Sequence, residues 1–202
     1  MPRIHWQWTG ERLNVQDWID GIPGRSVAIL GAGFDRRLLA RRGATAVLKM
    51  MLEDGFFHAD PHQGNVFYLP DNRLGFIDFG MVGRLPEQRR YEVAELLHGL
   101  VDRNAGMVAD VLLGWSSATE GDDAALRDEI ERFVDEYHGV PLKQLDFGAM
   151  LADMVGILRE HGLALPPDLA LMFKAFITLE GLGSQLDPDF DIAAEAAPFL
   201  KQ

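Results

Sequence analysis

The residues best suited to chemistry lie between positions 58 and 80. Asp60 precedes Asn65 by five residues, and Asp78 follows Asn65 by thirteen. Phosphoryl transfer depends mainly on positioning and charge neutralisation, so hard oxygen ligands must hold Mg²⁺ against the phosphates. We therefore expect Asn65 and Asp78 to be metal ligands. Asp60 would orient the attacking hydroxyl or water, or accept its proton.

The order of these residues matches the pattern of a protein kinase site. That pattern is His-x-Asp, an Asn five residues beyond the Asp, and a later Asp-Phe-Gly. Here it is filled by His58, Asp60, Asn65 and Asp78-Phe79-Gly80. Each motif alone is weak, but the three in order, with strand-like residues between them, favour this interpretation over coincidence. His58 is interpreted as a buried residue that organises the loop, and not as a base.

A second interpretation uses the same segment as a metal centre. His58, Asp60 and His62 alternate along the chain, so they would share one face of an extended strand. Such a trio could bind zinc or iron in a metal-dependent hydrolase. Pro61 counts against this alternative, because proline disfavours a central strand.

The elements that must position these residues follow from periodicity and breakers, and they indicate an α+β, mostly helical fold. Two N-terminal strands are predicted at 4–8 and 13–19, before a break at 20–24. The centre predicts strands at 66–69 and 74–77 around a turn at 70–73. Helices are predicted at 36–54 (ended by Gly55), 86–103, 122–137, 147–158, from Pro166-Pro167 to Gly181 and Gly183, and after Asp187-Pro188-Asp189.

Composition narrows the class of protein. The chain has 202 residues, 48% of them hydrophobic, which suits one compact domain or one large lobe with a fragment of another. The net charge of −12 argues against a nucleic-acid partner. The absence of cysteine excludes disulfides and zinc–thiolate sites. Without a secretory signal or a long uncharged apolar segment, we expect a cytoplasmic location, with the membrane surface as a further candidate.

The motifs resemble those of the UbiB family of atypical kinase-like proteins, also called aarF-domain kinases, over nearly the whole chain. Residues 18–23 resemble the hinge segment of that family, and residues 179–183 and 186–191 resemble its C-terminal region. The matching central residues are Gly55-Phe56-Phe57-His58-Ala59-Asp60-Pro61-His62, Gly64-Asn65 and Asp78-Phe79-Gly80-Met81-Val82-Gly83-Arg84-Leu85.

The resemblance implies a protein-kinase-like fold that binds ATP with Mg²⁺. It implies an ATPase or small-molecule kinase activity linked to ubiquinone or other prenyl-lipid metabolism, with a lipid or membrane surface as a partner. On matching positions, Asp60 takes the catalytic role, Asn65 and Asp78 hold the metal, and the cofactor-binding residues are Asp17 and Trp18 at the hinge with His58, Phe79 and Gly80. Residues 1–24 would be the last N-lobe strands and hinge, and 25–202 the C-lobe, with its catalytic loop at 57–65.

Several features depart from the family pattern. Gln63 stands where proline is usual, and we expect no C-terminal membrane segment, although many members have one. Lys49, the only lysine upstream of the catalytic loop, falls in a helical pattern, so the lysine of an N-lobe strand is missing. The chain is therefore expected to begin midway through the N-lobe, with a partner chain as one source of the rest. The apolar helices after Pro86 would then expose surface where that lobe should pack.

Two further functions stay open on the sequence. The missing lysine also suits a non-catalytic nucleotide- or lipid-binding remnant. A small-molecule phosphotransferase of the aminoglycoside or choline type is the other alternative, because it uses a similar His-x-Asp…Asn loop.

Overall fold

The computed structural model describes residues 1–26, 33–102, 104–115, 123–137, 146–196 and 198–199. Its strands are β1 (Ile22–Pro23), β2 (Phe56–His58), β3 (Val66–Leu69), β4 (Arg73–Phe76) and β5 (Val82–Arg84). Its helices are α1 (Arg36–Leu52), α2 (Glu87–Val101), α3 (Ala105–Trp115), α4 (Asp123–Tyr137), α5 (Phe147–Glu160), α6 (Pro167–Leu186) and α7 (Ile192–Ala196). The described part is thus the mostly helical α+β fold that the sequence predicts.

The centre of the chain forms two small antiparallel sheets. One sheet has the order β1-β3-β4, and the other pairs β2 with β5. Strands β3 and β4 are a hairpin whose turn contains Asp71 and Asn72 at φ 62° and 55°. Asp and Asn tolerate this left-handed conformation better than most residues. The predicted pair of strands around a turn is therefore confirmed, with the second strand ending one residue earlier.

The N-terminal segment differs from its prediction. In place of a regular hairpin, Trp6–Trp8 form a 3₁₀ helix, and isolated bridges join Ile4 to Gln16 and Gly10 to Leu13. The aromatic side chains here are exposed, so no buried face fixes a strand register. Regular pairing begins at β1, inside the segment predicted to break structure. As an edge strand, β1 accommodates its proline without loss of a ladder bond.

The first helix agrees with its prediction and shows how the chain enters the centre. Asp35 caps α1, since its side chain accepts a hydrogen bond from the Leu38 amide at 2.9 Å. The helix ends at Leu52 with Glu53 as its C-cap, two residues before the expected cap at Gly55. Gly55 has a φ of 63°, and a Cβ there would lie 2.6 Å from the Leu85 carbonyl oxygen. It therefore turns the chain from α1 into β2.

The predicted end of α6 is wrong, because this helix continues through Gly181 and Gly183 to Leu186. A Cβ at Gly183 would overlap the ring of Phe190. The glycine therefore permits close packing of the following segment onto the helix and does not terminate it. Helix α6 packs against α1, α5 and β5, which makes it the central support of the described fold.

Helices α2, α4, α5 and α7 lie where the sequence predicts them, whereas α3 occupies a segment for which no helix was predicted. The buried apolar side chains of the helices form one core. Asp146 caps α5 by accepting from the Ala149 amide at 2.8 Å, and Asp191 caps α7 by accepting from Ala194 at 2.9 Å. Arg103 and Asp122, at the predicted ends of two helices, lie outside the described residues. Across the described ranges, no helix is both long enough and apolar enough to span a bilayer.

The expected apolar surface is not on the helices after Pro86. Among the side chains described there, Tyr91 and Ile177 are the large apolar ones that are exposed, because the helical faces bury one another. Exposure is instead concentrated in the first eighteen residues, at Met1, Trp6, Trp8, Leu13 and Trp18.

Candidate functional site

The candidate site begins where β2 ends. The Ala59 amide donates to the Met81 carbonyl at 3.1 Å, just before β5, which ties this loop to the segment after Asp78. The His62 amide then donates to the Asp60 carbonyl at 2.8 Å, so the chain turns at Pro61. A 3₁₀ turn at Gln63–Asn65 follows, capped by His62 Nδ1, which accepts from the Gly64 amide at 2.9 Å. Asp60 is therefore presented on a short loop with few free dihedrals.

His58 connects two segments of the site through hydrogen bonds of its ring. Its ring is completely buried, and Nδ1 accepts a hydrogen bond from the Asp60 amide at 3.1 Å. Because Nδ1 is an acceptor, Nε2 carries the proton and donates to the Ile77 carbonyl at 3.0 Å. Both ring nitrogens are thus used inside the protein. His58 contributes to the site by fixing Asp60 and Ile77 and has no exposed atom with which to touch a ligand.

Asn65 makes the second link between the two halves of the site. Its side-chain Nδ2 donates to the Asp60 carbonyl at 3.1 Å, and its own carbonyl accepts from the Ile77 amide at 2.9 Å. The first bond fixes the orientation of the amide. Within the part of the chain that the structure describes, Oδ1 accepts no hydrogen bond. It is the atom that Asn65 can offer to a metal ion.

Asp78 follows Ile77 and has an uncommon backbone conformation. Its φ is 56°, in the left-handed region that few residues other than glycine occupy. Its Oδ1 accepts from the Gly80 amide at 3.2 Å, which closes a tight turn across Phe79. The carboxylate is exposed, while the Phe79 ring packs 4.8 Å from the His58 ring. Backbone strain and packing together hold this carboxylate outward.

The structure therefore brings Asp78 next to the loop that carries Asp60 and Asn65, while the roles of the three residues stay a prediction. Ile77 is bound on both sides by the loop, through its amide to Asn65 and through its carbonyl to His58. A carboxylate and an amide oxygen are ligands that suit Mg²⁺, which in nucleotide sites takes one or two carboxylates together with phosphate oxygens and waters. The donor set of this site fits that ion.

A lysine that the sequence analysis did not single out lies at Asp60. Lys174 Nζ is 3.1 Å from Asp60 Oδ1, and His62 Nε2 is 3.6 Å from Asp60 Oδ2. Lys174 belongs to α6, far along the chain. The one signal in the sequence was a charge in an otherwise apolar segment, which is more often a solvated residue.

Gly64 marks a close approach at the same loop. A Cβ at this position would lie 2.5 Å from Arg25 Nη2 and 2.6 Å from His62 Cε1. The exposed Arg25 side chain therefore lies close to the loop that carries Asp60 and Asn65, a contact that the sequence analysis did not predict. The Gly24 amide donates to the Val66 carbonyl at 2.7 Å, so β1 delivers Arg25 to this place.

The two predicted hinge residues lie apart from this cluster. Asp17 Oδ1 is 2.7 Å from His5 Nε2, and the Trp18 side chain is exposed, with a residue accessibility of 91%. Neither residue is hydrogen-bonded or ion-paired to Asp60, Asn65 or Asp78 in the described ranges. A role for these two residues at a nucleotide base stays a prediction.

The metal-dependent hydrolase interpretation is wrong for this geometry. The chain turns after Asp60, so His58, Asp60 and His62 do not share the face of one strand. His58 cannot ligate a metal ion, because both of its nitrogens are bonded inside the protein. Across the described residues, no three His, Cys, Asp or Glu side chains are grouped closely enough to hold a metal ion by themselves.

We expect His58→Leu to lower the free energy of unfolding by about 2 kcal/mol, because it leaves the part-buried Asp60 amide and Ile77 carbonyl without their His58 partner. Urea denaturation measures this change. His98→Leu is the matched control, since the His98 side chain is exposed and pairs with Asp102 at the surface. An equal loss of unfolding free energy in the two variants would contradict the role of His58 in connecting these segments.

Comparison with known protein families shows which family this chain belongs to. The ABC1 atypical kinase-like domain matches residues 1–112, and the UbiB helical domain matches residues 130–191. The chain belongs to the ABC1/UbiB family of atypical kinase-like proteins. In this UbiB-family chain, the ABC1 match carries Asp60, Asn65 and Asp78, and the helical-domain match carries Lys174.

Relatives that are about 30% identical to this chain include proteins with kinase names. A probable protein kinase UbiB of Xylella fastidiosa is 32% identical over 214 residues, covering 100% of this chain and 38% of the relative. Protein ACTIVITY OF BC1 COMPLEX KINASE 3 of Arabidopsis thaliana is 29% identical, covering 99% of this chain and 28% of the relative. An uncharacterized protein of Synechocystis is 32% identical, and the match covers 100% of this chain and 35% of the relative. The chain spans about a third of the length of these relatives.

A solved structure supports the kinase-like fold. The Mycobacterium tuberculosis protein Rv3197, solved in complex with erythromycin, matches with a TM-score of 0.61 and 19% identity. The match covers 96% of this chain and 50% of that chain. At this level of identity the likeness concerns the fold alone.

Proposed function

We propose that this chain binds Mg²⁺–ATP at Asp60, Asn65 and Asp78 and supports ATP-dependent phosphoryl transfer or hydrolysis of the UbiB type. One observation carries the proposal. Ile77 is hydrogen-bonded to Asn65 through its amide and to His58 through its carbonyl, so the next residue, Asp78, lies next to the loop that carries Asp60 and Asn65. Two separate sequence motifs thereby form one site.

The roles follow from the contacts of each residue. Asp78 and Asn65 Oδ1 would hold Mg²⁺, which supplies charge neutralisation of the phosphates when it is bound. Asp60 lies on the loop next to them and offers a carboxylate to the attacking hydroxyl or water. During transfer, the acceptor oxygen forms a bond to the terminal phosphorus and loses its proton to Asp60. The bond from that phosphorus to the bridging oxygen breaks, and ADP leaves with the electron pair.

The physiological setting is proposed from the family. Ubiquinone or prenyl-lipid metabolism, at a membrane surface, is the setting that we propose for the phosphoryl transfer. The exposed aromatic side chains Trp6, Trp8 and Trp18 support this, because exposed apolar patches mark contacts with lipid or protein. The same surface suits contact with a kinase N-lobe, whether that lobe comes from the same protein or from a partner.

Asp78→Ala is expected to abolish Mg²⁺-dependent ATP binding, because it removes the exposed carboxylate that would hold the metal. Calorimetric titration of the purified chain with ATP, with and without Mg²⁺, measures the effect. Asp110→Ala is the control, since this carboxylate is also exposed but pairs with Arg127 on the helical surface.

The outcomes separate the active site from a remnant. Binding that requires Mg²⁺, is lost in Asp78→Ala and is kept in Asp110→Ala would support the proposal. A folded wild-type chain without Mg²⁺-dependent ATP binding would contradict it for this chain and favour a non-catalytic role.

A further inference from the structure

The contact between Lys174 and Asp60 joins the two matched domains of the chain at the site. Lys174 Nζ lies 3.1 Å from Asp60 Oδ1 and 3.3 Å from the sulfur of Met81. Met81 follows Gly80 directly, so the ammonium sits between the catalytic loop and the end of the Asp-Phe-Gly segment. A lysine at this place can contact a ligand that binds between the two segments.

Helix α6 holds this lysine on a rigid support. Its neighbours Phe173 and Ala175 are buried, and the helix packs against α1 and β5. The Lys174 side chain itself is 45% exposed. The backbone of Lys174 is therefore fixed by the packed core, while its ammonium group reaches the site from the solvent side. Side chains on packed elements keep their position more accurately than side chains on loops.

The ammonium has bonding capacity left for a ligand. A lysine ammonium has three N–H donors. In this structure one is directed to Asp60 and one to a thioether, which is a weak acceptor. Across the described residues, Lys174 has no second carboxylate partner. A phosphate oxygen would be a far stronger acceptor than the sulfur of Met81.

The negative charge of the site with a bound nucleotide would be offset by a cation such as Lys174. Asp60 and Asp78 are two carboxylates in a chain with a net charge of −12, and a triphosphate adds further negative charge. Kinase sites neutralise the phosphates partly with a lysine. Of the four lysines in the sequence, the structure describes Lys49 and Lys174. Lys49 is engaged elsewhere, at 2.8 Å from Glu53 and 3.0 Å from Asp54 on α1.

We propose that Lys174 is the phosphate-binding lysine of this site: it contacts the terminal phosphate of bound nucleotide while it stays bonded to Asp60. The inference rests on the nucleotide site proposed above and assigns to it a residue from the helical domain. Lys174 then has two effects. It offsets the repulsion between the carboxylates and the terminal phosphate, and it places the Asp60 carboxylate next to that phosphate.

The test compares Lys174→Met, which keeps the length of the side chain but removes its charge, with Lys174→Arg, which keeps the charge. Lys49→Met is the matched control, because Lys49 has a similar exposure and is also ion-paired to carboxylates. Calorimetry gives the affinity for ATP and for ADP, each with Mg²⁺, and phosphate release gives the rate of hydrolysis. Circular dichroism checks that each variant is folded.

Lys174→Met is expected to weaken ATP binding by about 10-fold, the value of one charge-assisted hydrogen bond, and to leave ADP binding nearly unchanged. Lys174→Arg should restore a large part of the ATP affinity, and Lys49→Met should equal wild type. A purely structural lysine would instead weaken ATP and ADP binding equally.

Two results would overturn the inference, and they are distinguishable. If wild type binds ATP and Lys174→Met binds it as well, or loses ATP and ADP affinity equally, the inference fails while the nucleotide site stands. If the folded wild-type chain binds neither nucleotide, the proposed function fails and the inference fails with it.

Discussion

Asp60→Asn is expected to lower the rate of ATP hydrolysis or transfer by roughly 100- to 10,000-fold, the usual contribution of a positioned general base. The substitution keeps the shape of the side chain and removes its ability to accept the proton. The backbone bonds of Asp60 to His58 and Asn65 do not involve its carboxylate, so the loop should keep its geometry. ATP affinity should therefore change much less than the rate, and steady-state kinetics beside calorimetry measure both.

The control for Asp60 is Asp54→Asn. Asp54 also pairs with a lysine, at 3.0 Å from Lys49 Nζ, but it lies at the end of α1 and outside the site. Its replacement should leave the rate of hydrolysis at the wild-type value. A rate for Asp60→Asn within about threefold of wild type would show that Asp60 does not act as the base, since general-base catalysis contributes far more than that.

Gly83→Ala is expected to lower the free energy of unfolding by about 3 kcal/mol, the upper part of the usual range for overpacking. Gly83 pairs with Phe57 across β2 and β5. The fully buried Phe57 ring covers Gly83 so closely that a Cβ would overlap it. These two strands carry the catalytic loop at one end, so separating them should also disturb the site. Urea denaturation monitored by circular dichroism measures the loss.

Two further variants make the cause of that loss visible. Gly181→Ala lies on the exposed surface of α6 with no neighbour near its Cβ, so it should stabilise the chain by about 1 kcal/mol through helix propensity. In a Phe57→Leu background, Gly83→Ala should be less harmful, because the smaller side chain leaves room. An equal loss in both backgrounds would mean that the clash with the ring is not the cause.

The sequence predicted the candidate residues of the site and most of the local structure that supports them. The order of Asp60, Asn65 and Asp78 indicated the candidate residues, because phosphoryl transfer needs those side-chain types in that order. The β3–β4 hairpin and the helices other than α3 were also predictable, because turn residues, caps and apolar periodicity act over a few neighbouring residues. The contact of His58 with Asp60 is local in the same way, whereas its contact with Ile77 joins residues 19 positions apart.

The elements that sequence reasoning missed depend on distant partners. Ile22–Pro23 forms a strand only because β3 offers an edge, and Gly183 stays inside α6 because Phe190 packs onto it. Local propensity predicts a break at both places, and tertiary contact overrides it.

The residues of the site also fall into two groups, those that the sequence predicted and those that only the tertiary structure brought there. The sequence determined which carboxylates and amide could hold Mg²⁺, because their spacing places them on adjacent strand ends. Only the tertiary structure brought Lys174 from α6 to Asp60 and Arg25 over Gly64. The physical reason is that side-chain types and short spacings are written in the chain, whereas the proximity of distant charges depends on how helices pack on a common core.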